Sequence, residues 1–131
     1  MRISMLVASF AFLASVGAAN AAGDPAAGEK VFAKCHICHQ VGPTAKSAIG
    51  PELNGLIGRH SGSVEGYAYS DANKNSGIVW DVPTLEVYLK NPRAKVPGTK
   101  MMFPGLQKQS DIDDVIAYLS QFDAKGEMVK K

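Results

Sequence analysis

Apolar residues recur at helical spacing in three separate stretches of the chain, and the clearest of the three lies near the C-terminal end. There they fall at positions i, i+3, i+4 and i+7, on one face of an amphipathic helix; these residues are Ile112, Val115, Ile116, Leu119 and Phe122. Ser110 with Asp113 forms a capping-box-like start. We therefore expect a last helix that begins at Ser110 and frays from Asp123 into a charged tail.

The other two stretches predict a first and a middle helix. Asp24 followed by Pro25 is typical of an N-cap with proline in the first turn, so the first helix is expected to run from there to about residue 35 or 38. Because glycine lowers helix stability, Gly28 within it predicts another backbone packed closely against this helix. The middle helix is expected to begin at Asp81 and to end by Asn91, since the following proline disfavours the α conformation there.

Long segments rich in polar residues, glycine and proline separate these helices. They cover residues 40–69 and 92–108, and a short helix is expected between Ser70 and Asn75. The only β-like run, residues 78–80, is too short to found a sheet. The pattern predicts an all-α domain with three main helices, short helical turns and long loops. Loops of this length in a compact domain usually have a function or wrap around something.

The first 21 residues have the organisation of a secretory signal peptide. Arg2 gives a short basic start, residues 3–19 contain only apolar residues, glycine and serine, and residues 19–21 form a small-x-small cleavage site. Cleavage after Ala21 is expected to leave residues 22–131 as one domain; an uncleaved membrane anchor is the alternative. No other stretch is long and apolar enough to span a membrane, so we expect no permanent anchor.

Charge is distributed unevenly along the chain. The 14 Lys and Arg nearly balance the 12 Asp and Glu, and the net charge of +2 says little about partners. Residues 87–110, however, contain five bases and no acid, whereas residues 111–127 contain five acids and one base. A separation of this kind orients a protein in the field of a charged partner.

Cys35 and Cys38 are three positions apart, and His39 follows directly. On a helical turn, residues i and i+3 lie on one face, so the two sulfurs can reach the two vinyl groups at one edge of a haem and form thioethers. His39 stays near that face and can offer a ring nitrogen to the iron. This spacing predicts c-type haem attachment. A haem would also supply the large apolar body around which the long loops wrap.

Two other uses of paired cysteines fit the chain less well. A thioredoxin-like disulfide normally lies within a βαβ pattern, and no such pattern is visible. A zinc site needs a fourth ligand at a recognisable spacing; adjacent Cys38 and His39 are poor tetrahedral partners, and His60 stands alone.

The residues themselves leave the second iron ligand open. His36 lies inside the motif and His60 in a glycine-rich loop, and both are expected on the surface. A methionine thioether is a soft ligand that raises the reduction potential. Met101 and Met102 both lie in the acid-free segment, and composition does not choose between them. The one that is not a ligand is expected to fill a gap in the core.

Several segments resemble, in order and spacing, the class I c-type cytochromes, the family of bacterial cytochrome c2 and mitochondrial cytochrome c. The resemblance extends from Gly28 to about Phe122, and its segments are residues 35–39, 50–59, 69–75, 77–80, 88–92, 96–103 and 116–119. It implies the cytochrome c fold wrapped around one covalently attached haem c. The chain lacks the insertions that lengthen the methionine loop of some cytochromes c2, which implies the short form.

The resemblance also implies roles for individual residues. The methionine that follows Lys100 in this pattern, Met101, is the axial ligand that completes the coordination begun by His39. Pro51 matches the proline whose carbonyl accepts the N–H of that imidazole. The implied donors to a buried haem propionate are Arg59, Tyr69 and Trp80, and the implied polar groups near the methionine sulfur are Asn73, Tyr88 and Thr99.

With both axial positions filled by protein, the iron has no open site for oxygen or peroxide, so we expect an electron carrier rather than an enzyme. By resemblance the donor is a quinol–cytochrome c oxidoreductase, the cytochrome bc1 complex. The acceptor is a terminal cytochrome c oxidase or a photosynthetic reaction centre. Bases expected to steer the chain toward acidic faces of these complexes are Lys34, Lys46, Lys90, Arg93, Lys95 and Lys100.

The signal peptide predicts the periplasm as the location, and we expect a monomer without a nucleic-acid partner. The alternative is a haem peroxidase or a ligand-sensing haem protein whose distal methionine is displaced. A second alternative is a haem domain that serves only as a structural or docking module.

Overall fold

Residues 23–129, the part of the chain that this computed structural model describes, contain five helices. They are α1 (Pro25–Phe32), α2 (Asp71–Lys74), α3 (Val82–Lys90), α4 (Pro92–Lys95) and α5 (Gln109–Leu119). Within the described residues, β structure is limited to isolated bridges between His60 and Val79 and between Phe122 and Met128. The all-α prediction is therefore confirmed. The predicted signal peptide lies outside the described residues.

α1 and α5 cross at Gly28. A Cβ atom added at Gly28 would overlap the main-chain carbonyl of Asp114 and lie 2.8 Å from Cβ of Tyr118. At the start of α1, the main-chain N–H of Asp24 donates to Asp114 Oδ1 at 2.8 Å. At its end, the ring of Phe32 packs against that of Tyr118 with centroids 5.4 Å apart. The close backbone contact predicted from Gly28 is confirmed, and α5 is the partner.

α1 ends at Phe32, before the predicted position, and tight turns continue the chain. The N–H groups of Cys35 and His36 both donate to the carbonyl of Phe32 at 2.8 Å, and the N–H of His39 donates to the carbonyl of Cys35 at 2.9 Å. These bonds keep the i, i+4 relation between Cys35 and His39 that the prediction had assigned to a longer helix.

α3 and α4 follow each other without an intervening loop. Asp81 caps α3 as predicted, since its Oδ1 accepts the N–H of Thr84 at 2.8 Å. Residues 92–95 were expected to be loop, and this is wrong. Asn91 Oδ1 accepts the N–H of Ala94 at 3.2 Å, and Pro92 occupies the first turn of α4. Asparagine followed by proline is a helix start signal, and a short helix forms here although the surrounding composition is typical of a loop.

α5 buries the apolar face that its periodicity predicted, but its ends differ from the prediction. The buried residues are Ile112, Val115, Ile116 and Leu119. The helix begins at Gln109 without a side-chain cap at Lys108, so the capping box at Ser110 is wrong. Beyond the helix, the N–H of Asp123 donates to the carbonyl of Glu127 at 2.9 Å. Residues 120–129 thus fold back in a turn instead of fraying.

The hydrophobic core lies between the α1–α5 pair and α3. Its side chains from α3 and α5 include Leu85, Leu89, Val115 and Leu119, and these also line a cavity. The core is therefore open on one side, and the long loops close over that opening. In residues 23–129, no helix combines the length and apolar character needed to cross a membrane.

Candidate functional site

The cavity has a volume of about 520 Å³, within the roughly 300–1,000 Å³ typical of cofactor and ligand pockets. Every residue that was predicted to serve the site lines this one cavity: Cys35, Cys38, His39, Pro51, Arg59, Tyr69, Asn73, Trp80, Tyr88, Thr99 and Met101. The fold therefore brings together side chains from the turns after α1, the loop before α2, α2 itself, the segment between α2 and α3, α3 and the loop after α4.

The imidazole of His39 is oriented by the main chain of Pro51. Its Nδ1 lies 2.7 Å from the carbonyl oxygen of Pro51. A carbonyl can only accept, so Nδ1 carries the proton and Nε2 keeps its lone pair. Burial lowers the pKa of His39, so the ring is neutral near pH 7, the form that binds metals. His36 and His60 are exposed, as predicted.

Gly50 packs against the face of the same imidazole, a contact that the sequence analysis missed. A Cβ atom added at Gly50 would lie 2.7 Å from Nδ1 and 2.9 Å from Nε2 of His39. The N–H of Gly50 also donates to the carbonyl of Cys38 at 2.9 Å. Only glycine leaves room for the ring in this position. A glycine directly before Pro51, whose carbonyl was expected to bond His39, was the sequence signal that could have predicted this contact.

Cys35 and Cys38 form no disulfide and lie at the edge of the cavity next to His39. Burial raises the pKa of the Cys35 thiol to about 11. Reactive cysteines of thioredoxin-like motifs have the opposite shift, toward the thiolate. In the described part of the chain, no group of three or more His, Cys, Asp or Glu side chains could hold a metal ion. The raised pKa of Cys35 disfavours the disulfide alternative.

The two adjacent methionines have different surroundings. The hydroxyl of Tyr88 donates to Met101 Sδ at 3.1 Å, and Met101 is partly buried. Met102 is 77% exposed at the edge of the cavity, so the expectation that the second methionine fills the core is wrong. Burial raises the pKa of Tyr88 to about 12, which keeps its hydroxyl protonated and able to donate at physiological pH.

A polar network ties the loop of Met101 to α2. Asn73 Oδ1 accepts from Thr99 Oγ1 and from Ser70 Oγ, each at 2.9 Å. Thr99 Oγ1 in turn accepts the main-chain N–H of Met101 at 3.3 Å. The amide of Asn73 thus holds the segment that presents the Met101 sulfur.

Arg59 brings a positive charge to another part of the cavity wall. Its Nη1 donates to the main-chain carbonyls of Glu52 at 2.9 Å and Asn54 at 3.1 Å, and it contacts the Glu52 carboxylate at 3.5 Å. Burial is the main cause that lowers the pKa of this guanidinium. Glu52 was not foreseen as its partner, because glutamate at a loop position carries no signal of this pairing.

Two further donors line the cavity without a protein acceptor. The hydroxyl oxygen of Tyr69 accepts the N–H of Val64 at 3.0 Å, which leaves its own proton unused. Trp80 is 7% exposed, and among residues 23–129 its indole N–H finds no acceptor. In residues 23–129 no side-chain nitrogen or oxygen is fully buried without a partner, so these two donors open onto the cavity and can bond to a group placed there. Together with Arg59, these groups fit a negatively charged acceptor placed in the cavity.

Asn54 is a second residue that the sequence analysis missed. It is 8% exposed. Its Oδ1 accepts the N–H of Gly42, and its Nδ2 donates to the carbonyl of Gly42, each at 2.9 Å. Asn54 therefore clamps the loop that follows His39 against the loop that carries Pro51.

Comparison with known proteins agrees with this geometry. Residues 25–123 match the family model for cytochrome c. The chain belongs to the cytochrome c family. It is 61% identical to cytochrome c-554 of Methylosinus trichosporium over 95% of this chain and 96% of that protein. It is 55% identical to cytochrome c2 of Blastochloris viridis over 89% of this chain and 91% of the relative.

A solved structure supports the same fold. Cytochrome cH from Methylobacterium extorquens superimposes with a TM-score of 0.71 at 49% identity, covering 75% of this chain and 98% of that one. The prediction of a class I c-type cytochrome with the cytochrome c fold is therefore confirmed.

Membership of the cytochrome c family implies covalently bound haem c, and the cavity fits that group. Its edge carries two free cysteines at the attachment spacing. Its wall offers a neutral imidazole whose Nε2 keeps a lone pair, and a thioether sulfur. Unpaired donors beside the Arg59 guanidinium suit a carboxylate, and apolar side chains supply the rest of the lining.

Proposed function

We propose that this cytochrome c is an exported carrier of single electrons, with one haem held by thioethers to Cys35 and Cys38 and its iron ligated by His39 and Met101. The observation that carries the proposal is the shared cavity. The neutral imidazole of His39 and the sulfur of Met101 line the same space as the two cysteines. A haem bound there supplies the one-electron redox chemistry.

The protein's own part is to fix the two ligands. The Pro51 carbonyl holds the proton on His39 Nδ1, and Gly50 confines the ring from its face. Tyr88 donates to the Met101 sulfur, while Asn73 and Thr99 hold the loop around it. Ligands held in this way change position little between oxidation states, which favours fast electron transfer.

Arg59, Tyr69 and Trp80 have a separate task in this proposal. A propionate carboxylate buried without partners would be strongly destabilising. The guanidinium and the two unpaired donors line the cavity where such a group can be paired. Burial disfavours the charged form of Arg59 and so lowers its pKa. Pairing with the propionate would offset this cost.

With His39 and Met101 both bound to the iron, no position would stay open for a substrate, so we propose a carrier and not an enzyme. The test is a potentiometric titration of the haem-loaded protein, followed by carbon monoxide added to the reduced form. We expect a reversible one-electron transition and no carbon monoxide spectrum. Rapid carbon monoxide binding would favour the ligand-sensing or peroxidase alternative. If no reversible transition were found, a haem domain that serves only as a structural or docking module would be the remaining interpretation.

The partners are proposed from charge and resemblance. All six bases expected to steer docking are exposed, and Lys34 and Lys100 line the cavity itself. Docking there would bring a partner close to the haem. We propose a cytochrome bc1 complex as donor and a terminal oxidase or a photosynthetic reaction centre as acceptor, met in the periplasm by a monomer.

Electrostatic steering of this kind weakens with salt, since the Debye length falls from about 10 Å at 0.1 M to about 3 Å at 1 M. We expect the rate constant for reduction by a purified cytochrome bc1 complex to fall steadily as ionic strength rises. A rate constant independent of salt would exclude charge steering while leaving the haem ligation untouched.

A further inference from the structure

Met102 has surroundings that set it apart from the other methionines of the described chain. Its side chain is 77% exposed. The guanidinium of Arg93, on α4, lies with Nη2 3.5 Å from Met102 Sδ. Met101, its neighbour in sequence, is partly buried and accepts a hydrogen bond from Tyr88. Met128 is 60% exposed, but within residues 23–129 no donor contacts its sulfur.

We propose that Met102 is a site of reversible oxidation to methionine sulfoxide and that Arg93 assists this oxidation. An exposed thioether reacts readily with peroxide, and methionine sulfoxide reductases restore it. Exposure alone would place Met102 and Met128 close together in reactivity. The cation at the sulfur is what distinguishes Met102.

The step balances with hydrogen peroxide as the two-electron oxidant. One lone pair of Met102 Sδ attacks a peroxide oxygen, the O–O bond breaks, and an S–O bond forms. The departing hydroxide takes the remaining peroxide proton and leaves as water. Sulfur loses two electrons, and peroxide oxygen gains them. The thioether has two lone pairs, so one stays available beside the contact with Arg93 Nη2. That contact withdraws electron density from the sulfur, as the Tyr88 contact does at Met101, so Arg93 assists the step by turning an N–H from Sδ to the departing oxygen.

Arg93 favours this step in two ways. Negative charge develops on the leaving oxygen, and a guanidinium N–H next to the sulfur can donate to it. The sulfoxide oxygen that forms is a much better acceptor than a thioether, and hydrogen bonds from a charged donor are the stronger ones. Arg93 can therefore hold the product with little movement. Oxidation also replaces an apolar group at the edge of the cavity with a polar one.

The test is limited oxidation of the haem-loaded ferric protein by hydrogen peroxide, stopped before the haem absorption changes. Peptide mass spectrometry then gives the rate at which each methionine gains one oxygen atom. We expect Met102 to react first, Met128 more slowly and Met101 last. For an exposed contact, the preference of Met102 over Met128 should be roughly two- to fivefold. Equal rates at Met102 and Met128, or faster oxidation of Met101, would overturn the proposal.

Arg93→Gln is the decisive variant, and Lys95→Gln is its matched control. Both residues are exposed bases of α4, so either change removes one positive charge from the same surface. Only Arg93 contacts the Met102 sulfur. We expect Arg93→Gln to abolish the preference for Met102 over Met128, and Lys95→Gln to retain it. An unchanged ratio in Arg93→Gln would show that exposure alone sets the order.

Discussion

Gly50→Ala is the substitution whose consequence the structure defines best. The added methyl group would lie 2.7 Å from Nδ1 and 2.9 Å from Nε2 of His39, well inside van der Waals contact. The ring cannot move aside without losing the 2.7 Å hydrogen bond to the carbonyl of Pro51. A haem iron bound to Nε2 would restrain it further. The main chain at Gly50 is itself held by its bond to the Cys38 carbonyl.

The magnitude follows from three contributions. Overpacking at a rigid site costs about 1–3 kcal/mol, and weakening the His39 hydrogen bond costs about 1 kcal/mol. Alanine gains back about 0.5 kcal/mol by restricting the unfolded chain. We therefore expect the free energy of unfolding of the haem-loaded protein to fall by about 1.5–3.5 kcal/mol.

Guanidinium unfolding of the haem-loaded protein measures this loss as a lower midpoint at an unchanged slope. Ala48→Ser is the control, because Ala48 is an exposed residue of the same loop; its effect should stay within about 0.5 kcal/mol. If Gly50→Ala unfolds at the midpoint of the unsubstituted protein and its His39 ring resonances are unshifted, the packing argument is wrong.

Three further predictions concern other contacts. Gly28→Ala should lower the free energy of unfolding by at least about 1 kcal/mol despite alanine's better helix propensity, because its methyl group would overlap the Asp114 carbonyl. Glu29→Ala, an exposed change in α1, is the control. Equal midpoints of guanidinium unfolding for the two variants would contradict this. Tyr88→Phe removes the donor to the Met101 sulfur, so the sulfur should stabilise Fe(III) more and the reduction potential should fall; a higher or equal potential in voltammetry would refute this. Burial raises the pKa of Tyr88 to about 12, above its usual value near 10. The contribution of Tyr88 to stability should therefore be complete below about pH 10 and be lost as the pH rises toward 12. The difference in unfolding free energy between the protein and Tyr88→Phe should shrink over that range, and a constant difference would contradict the shift.

Local patterns in the sequence predicted the helices where a local signal decided the outcome. Asp24 and Asp81 cap α1 and α3 as expected, because a capping side chain and the N–H group that donates to it are neighbours in the chain. The start of α4 carried the same kind of signal in Asn91 and Pro92, but the surrounding loop-like composition obscured it. α5 begins without a side-chain cap, so no local rule could have located its first residue.

The site depended on a different kind of information. Spacing predicted haem attachment at Cys35 and Cys38, whereas the choice of Met101 over Met102 came from resemblance. The structure adds a physical distinction, since only Met101 combines partial burial with a donor on its sulfur. Gly50 against His39 and the clamp of Asn54 on Gly42 join loops across the fold. Contacts of this kind exist only after the chain has folded.

Ligation of the iron by Met101 is the central claim, and the red absorption band of a methionine–iron(III) bond tests it most directly. The spectrum of the oxidised haem-loaded protein should be compared with those of Met101→Ala and Met102→Ala, two identical changes at adjacent positions. We predict that the band is present in the protein and in Met102→Ala, and absent from Met101→Ala. A band that survives in Met101→Ala, or that is already missing from the unsubstituted protein, would contradict the account.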